Sequence, residues 1–158
     1  MWHFLKNRVE LTQADYHIPN RFSDGYGLSC QAIDKLAQQG TTLIITVDCG
    51  IVSNAEVEYA RQLGIDVIIT DHHRNGEILP EAVAVLDPVC PESSYPFKYL
   101  CGAGVAYKLI QALSDSIGLD GVADEYLPLV ALATVGDAVS LTGENRIIAS
   151  LGMRKMPG

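Results

Sequence analysis

Apolar and polar positions alternate along this chain in two rhythms. Ser29 stands where a helix N-cap belongs. CQAIDKLAQQ follows with helical spacing, and Gly40 lies just past its end. TTLIITV is then a continuous β-branched run, which suits a strand buried on both faces of a parallel sheet. Asp48-Cys49-Gly50 breaks that run. Ser53 and Glu56 have capping-box spacing and open a second helix, NAEVEYARQL, which Gly64 ends. IDVIIT is a second strand signal, stopped by Asp71-His72-His73. A third apolar run, AVAVLD, precedes Pro88.

Helix, glycine, strand and polar stop thus occur twice in succession. This is the grammar of βαβ units. It predicts an α/β fold with a parallel central sheet, helices on both faces, and strands that include Leu43–Val47 and Asp66–Thr70. Residues 88–98 carry three prolines and little periodicity, and read as a loop. GAGVAYKLIQALSDSIG reads as a helix that opens on small residues. ADEYLPLVALATVGDAV is apolar throughout and predicts a buried helix with Pro128 in its first turn. RIIASLGMRKM predicts a short final helix. The first 28 residues carry the weakest pattern, and no internal repeat or linker interrupts the chain.

Composition narrows the class. The 158 residues are 48% hydrophobic and 19% charged, which excludes a disordered chain. The length suits a single domain with a sizeable core. No stretch reaches the ~20 apolar residues of a membrane span, and the N-terminus lacks the apolar region of a secretory signal. The expectation is a cytoplasmic protein with no membrane partner. Cys30, Cys49, Cys90 and Cys101 form no C-x-x-C pair, and reduced thiols are expected.

The net charge is −8. A protein that holds nucleic acid by phosphate contacts alone is usually basic. Either the partner is not a polyanion, or metal ions supply the positive charge, or the basic surface lies elsewhere in a larger molecule.

Open parallel sheets bind ligands beyond the carboxyl ends of their strands. Two consecutive strands here end in Asp48 and in Asp71-His72-His73. On neighbouring strands those side chains converge in one crevice. Carboxylate plus imidazole is a ligand set for Mn²⁺, Zn²⁺ or Fe²⁺, and carboxylates sharing a site repel unless a cation lies between them. Asp48 alone also suits a turn. Asp137 is a third candidate, since it follows apolar sequence near a helix C-terminus, where the macrodipole disfavours a carboxylate. Arg21 and Arg74 could face a phosphate, although solvated or structurally paired arginines are the plainer reading. His3 and His17 read as surface or turn residues. The seven tyrosines are scattered and suggest no base-stacking platform.

Four ordered segments, ITVDCGI, IITDHH, PFKYLCGAGVAYKL and LATVGDAVSLTGENR, together resemble the DHH phosphoesterase superfamily. The opening HIPNRFSDGYGLS resembles the RecJ-type single-strand-specific DNA exonucleases within it. The resemblance runs from about His17 to Arg154. It implies the following roles. Asp48 matches the second-motif Asp that bridges two metals. His72 matches the metal-binding first His of DHH. His73 matches the second His, placed toward the substrate phosphate or the attacking water, and Asp71 would orient the site from close by. Asp137 matches the acidic ligand after the helical segment. Gly102, Ala103 and Gly104 match the small residues whose N–H groups could face a phosphate.

The family's first motif, a His and an Asp-x-Asp pair on an earlier strand, has no counterpart upstream of Asp48. The expectation is therefore one partial DHH phosphoesterase domain over residues 1–158, incomplete at its N-terminus. The family's C-terminal substrate- and nucleic-acid-binding domains are not expected in it. The implied function is 5′-to-3′ hydrolysis of single-stranded DNA with Mn²⁺ or Mg²⁺, impaired in this chain alone because the two-ion site is incomplete. The implied setting is DNA repair and recombination, with replication or repair proteins as partners. Two alternatives remain. A non-catalytic relative acting as an interaction module is favoured by the missing motif. A small-nucleotide phosphoesterase is opposed by HIPNRFSDGYGLS.

Overall fold

A computed structural model describes residues 1–19 and 27–156. The HIPNRFSDGYGLS segment, with Arg21 and Asp24, falls largely outside the described residues. The chain order is α1 (Trp2–Asn7), α2 (Cys30–Gln38), β1 (Leu43–Val47), α3 (Asn54–Gln62), β2 (Asp66–Thr70) and β3 (Ala84–Leu86). α4 (Gly102–Ser116), a 3-10 turn (Val122–Tyr126), α5 (Leu127–Gly136) and α6 (Gly143–Lys155) follow.

The three strands form one parallel sheet in the order β1-β2-β3. Leu43 pairs with Asp66 and Val47 with Thr70, so β1 and β2 end level with each other. Among the described residues no strand pairs with the outer edge of β1. The crossover that makes β1 and β2 parallel is α3, as the repeated pattern requires. Ile44, Val67 and Ile69 lie on one sheet face, packed with Ile33 of α2 and with Val57 and Ala60 of α3. Each such buried Ile or Val side chain contributes about 1.5–3 kcal/mol. On the opposite face, Leu86 packs against the core that α4, α5 and α6 build around Leu100, Val105, Leu127 and Ile148. Helices therefore cover both faces.

Local signals explain the helix boundaries. Ser29 Oγ accepts from the Ala32 N–H at 3.2 Å and caps α2. Gly40 and Gly64 take left-handed φ values of +79° and +74° just past α2 and α3. Ser53 is the N-cap of α3 but makes no side-chain cap bond, so the capping box implied by its spacing does not close.

The apolar segment from Ala123 to Val139 departs from expectation in two ways. It is broken into the 3-10 turn and α5, with Pro128 at the start of the latter, where its missing N–H costs nothing. Nor is it buried all round, because Leu129 and Leu132 are 66% and 61% exposed. Only its inner side, with Val130, Ala131 and Thr134, is buried. α6 crosses α5 closely at Gly152, where a Cβ would lie 2.3 Å from the Leu127 carbonyl oxygen. α1 was not legible in the sequence, yet Phe4 is fully buried in the helical core. All four cysteines are free, with Cys90 and Cys101 buried.

Candidate metal centre

The site lies at the carboxyl ends of the strands. Beyond Val47 the chain makes one more ladder bond, from the Asp48 N–H to the Thr70 carbonyl at 2.9 Å. It then turns through a left-handed Asp48 at φ +64°. Asp tolerates that region better than most non-glycine residues. Thr46 Oγ1 donates to the Cys49 carbonyl at 2.7 Å, and Thr70 Oγ1 donates to the Thr46 carbonyl at 2.6 Å. Gly50, at φ +113°, lets the turn fold back over Ile69. The Asp48 side chain is thereby set against the first turn of α4. A Cβ on Gly102 would stand only 2.2 Å from Asp48 Oδ1. The positive end of the α4 macrodipole therefore faces this carboxylate.

Asp71 follows β2 and is 1% exposed. Its Oδ2 accepts the Ile51 N–H at 3.0 Å, across the turn after β1. Its Oδ1 accepts the His72 N–H at 2.8 Å, the His73 N–H at 3.3 Å and His73 Nδ1 at 2.6 Å. Both oxygens are thus spent on holding the two strand ends and the His73 ring. With Nδ1 donating to Asp71, Nε2 is the acceptor nitrogen of His73.

His72 Nε2 is buried and has no hydrogen-bond partner among the described residues. It lies 3.1 Å from Asp48 Oδ1 and 3.5 Å from Asp137 Oδ2, without hydrogen-bonding geometry to either. Asp137 reaches it from the C-cap of α5, a place that costs a carboxylate dipole energy. One ligand atom each from Asp48, His72 and His73 fall within 4.8 Å of one another. The rings of His72 and His73 are 4.4 Å apart between centroids.

The electrostatics are those of a crowded anionic site. Burial pushes the Asp48 carboxyl above the ordinary range, His72 and His73 pull it back, and Asp137 and Asp71 push it up again. Burial lowers His73, but the Asp71 hydrogen bond and the charges of Asp71, Asp48 and Asp137 outweigh this and hold it above the usual imidazole range. The Cys49 thiol is pushed up to about 11 by burial, then by the Asp71 and Asp48 charges. A buried imidazole nitrogen without a partner, set between two carboxylates, fits a divalent cation.

The structure thus brings Asp48, His72, His73 and Asp137 together, with Asp71 behind them. Of the three small residues expected at a phosphate, Gly102 gives room to Asp48, and the Gly104 N–H already donates to Cys101 Sγ at 3.4 Å. Asp87 joins these site residues from outside the set that the sequence predicts. It follows β3 as Asp48 and Asp71 follow β1 and β2, is 4% exposed, and has a buried Oδ2 without a partner among the described residues. Burial raises its carboxyl, and the Val89 N–H on Oδ1 lowers it. The signal was present in the third apolar run, which also stops at an Asp.

Residues 1–134 match the DHH family, N-terminal domain. The single-stranded-DNA-specific exonuclease RecJ of Bacillus subtilis (strain 168) is 47% identical over 144 residues, 91% of this chain and 18% of that protein. The protein of the same name from Escherichia coli (strain K12) is 46% identical over 152 residues, 90% of this chain and 26% of that protein. The crystal structure of exonuclease RecJ bound to manganese has a TM-score of 0.84 at 34% identity, covering 99% of this chain and 40% of that one. The chain therefore spans about a fifth to a quarter of the length of these curated relatives.

Proposed function

The chain belongs to the DHH family, and from that premise we propose that it carries the metal-binding core of a single-strand-specific DNA exonuclease acting 5′ to 3′. The observation that carries this reading is the buried His72 Nε2, without a hydrogen-bond partner among the described residues and set between Asp48 and Asp137, with a His73 ligand atom within 4.8 Å of the His72 and Asp48 donors. A divalent cation there, Mn²⁺ or Mg²⁺, would neutralise phosphate charge and make water more acidic.

The chain's own residues do the rest. Asp48, His72 and Asp137 hold the ion. Asp71 fixes the His73 ring by taking its Nδ1–H, which leaves Nε2 to accept a proton from water or to contact the phosphate. Buried Leu100 and Cys101 lie behind the α4 N-terminus that faces Asp48. The edge of β1 that no described strand covers, with Leu43 and Val47 46% and 41% exposed, is where a further strand with more carboxylates would complete a two-ion site. Residues 1–158 are on this reading part of a DHH domain. Repair and recombination of DNA is the setting proposed for the complete enzyme. No described helix is long and apolar enough to cross a membrane.

The experiment is a Mn²⁺ titration followed by a nuclease assay on 5′-labelled single- and double-stranded DNA, with His72→Ala as control. The expected result is weak Mn²⁺ binding that His72→Ala removes, and slow cleavage confined to the single strand. Mn²⁺ binding that survives His72→Ala overturns the site, and cleavage of both strand forms alike overturns the substrate.

A further inference from the structure

We propose that a groove leading away from His72, lined by Arg74, Lys98 and Tyr99, seats a nucleotide of the DNA strand next to the scissile phosphate. This rests on the nuclease reading above and adds where the strand runs.

The groove has a volume of about 510 Å³, within the ~300–1,000 Å³ usual for ligand sites. His72 stands at its metal end, and Val89, Pro91, Leu100 and Val139 supply apolar wall. In a chain of net charge −8 the fold brings two cations, Arg74 and Lys98, to the same groove as His72. Arg8, Arg61, Lys108 and Lys155 are each tied to a carboxylate, at Glu125, Glu58, Glu144 and Asp124. Arg74 and Lys98 have no carboxylate partner among the described residues. Lys98 Nζ only donates to the Ser93 carbonyl, at 2.7 Å. Two cations without a carboxylate partner among the described residues, lining a groove that reaches His72, are a place for backbone phosphates.

The aromatic surface is equally unspent. Tyr99 is 61% exposed, its ring edge-on to Phe97 at 5.6 Å between centroids. Single strands are held by cations along the backbone and by aromatic faces on which bases stack.

The walls are also fixed in place. Asn145 is fully buried, and its Nδ2 donates to the Tyr99 carbonyl on one side and to the Ser140 carbonyl on the other. Phe97, behind Tyr99, packs where a side chain at Gly143 would stand, a Cβ there lying 2.6 Å from Phe97 Cε2. The groove is a preformed part of the fold, which lowers the cost of ordering a strand in it.

The test is fluorescence anisotropy of a fluorescein-labelled oligothymidylate with the full chain, over a KCl series, with Arg74→Ala, Lys98→Ala, Tyr99→Ala and Tyr99→Phe. Binding is measured in Ca²⁺, and Mn²⁺ affinity and cleavage are measured separately. Each cation variant should lower the slope of log affinity against log salt by about 0.7. Tyr99→Ala should weaken binding about five-fold or more at unchanged slope, and Tyr99→Phe should restore it. Mn²⁺ affinity should stay that of the parent in all four. Parent-like oligonucleotide binding in all variants, or no binding by the parent, overturns the groove. Groove-dependent binding without any Mn²⁺-dependent cleavage keeps the groove and removes the nuclease reading. Cleavage with parent-like binding in the variants does the reverse.

Discussion

The Asp48 carboxylate occupies the space in which a side chain at Gly102 would begin, with Oδ1 2.2 Å from an ideal Cβ there. The residue that opens α4 is thus chosen by the residue that follows β1. Gly102→Ala should push Asp48 off His72. Loss of an outer support typically costs a metal site 10–100-fold in affinity. A Mn²⁺ titration of Gly102→Ala should show a loss of that order while far-UV circular dichroism keeps the parent helix content. An unchanged Mn²⁺ affinity would mean that Asp48 is not a ligand.

Asp71 should matter for stability as well as for the site. Asp71→Ala leaves three backbone N–H groups and the His73 ring without their acceptor in a buried place. Hydrogen bonds to a charged group contribute about 1.5–3 kcal/mol each, not all additively. Urea unfolding should show a loss of about 3 kcal/mol or more. Asp71→Asn, which keeps one carbonyl acceptor, should lose less.

Metal should stabilise the fold through His72. At a Mn²⁺ concentration 100-fold above Kd the gain is about 2.7 kcal/mol, a rise of roughly 5–10 °C in Tm for a chain of this size. EDTA should reverse it, and His72→Ala should abolish it. A thermal scan with and without Mn²⁺ decides this.

Tyr107 supplies a pH signature remote from the centre. It is 3% exposed, and burial together with the Asp124 charge and hydrogen bond pushes its phenol up to about 12. A raised folded pKa means stability that is whole below the ordinary value of 10 and is lost as pH climbs toward 12. Unfolding free energy should fall across that window, and Tyr107→Phe should flatten the fall. Phenolate absorbance of the folded chain should appear late to match.

Strands β1 and β2 were legible because TTLIITV and IDVIIT are unbroken β-branched runs with helix-spaced sequence between them. That interval forces a crossover, and so a parallel pair. The convergence of Asp48 with His72 followed from the same two strand ends. Asp87 was overlooked because Leu-Asp-Pro reads as a turn, and β3 is only three residues long. α1 escaped because six residues give too short a window for a period of 3.6. The exposed side of α5 could not be read at all: a segment apolar all round gives no direction, and only packing against α6 at Gly152 chooses which side is buried. Tyr99 looked like one scattered tyrosine because Asn145, 46 residues away, is what holds its backbone beside the Ser140 wall.

The edge of β1 that no described strand covers also bears on how this chain behaves as a colloid. The backbone groups of Leu43–Val47 that point away from β2 have no strand partner among the described residues, with Leu43 and Val47 half-exposed beside them, and such an edge is a template for like strands of other molecules. What keeps copies apart is the charge of −8, a force that reaches about 10 Å at 0.1 M salt and only about 3 Å at 1 M. The isolated chain is therefore a protein to concentrate in dilute buffer, since salt that shields its charge hands the encounter to its sheet edge.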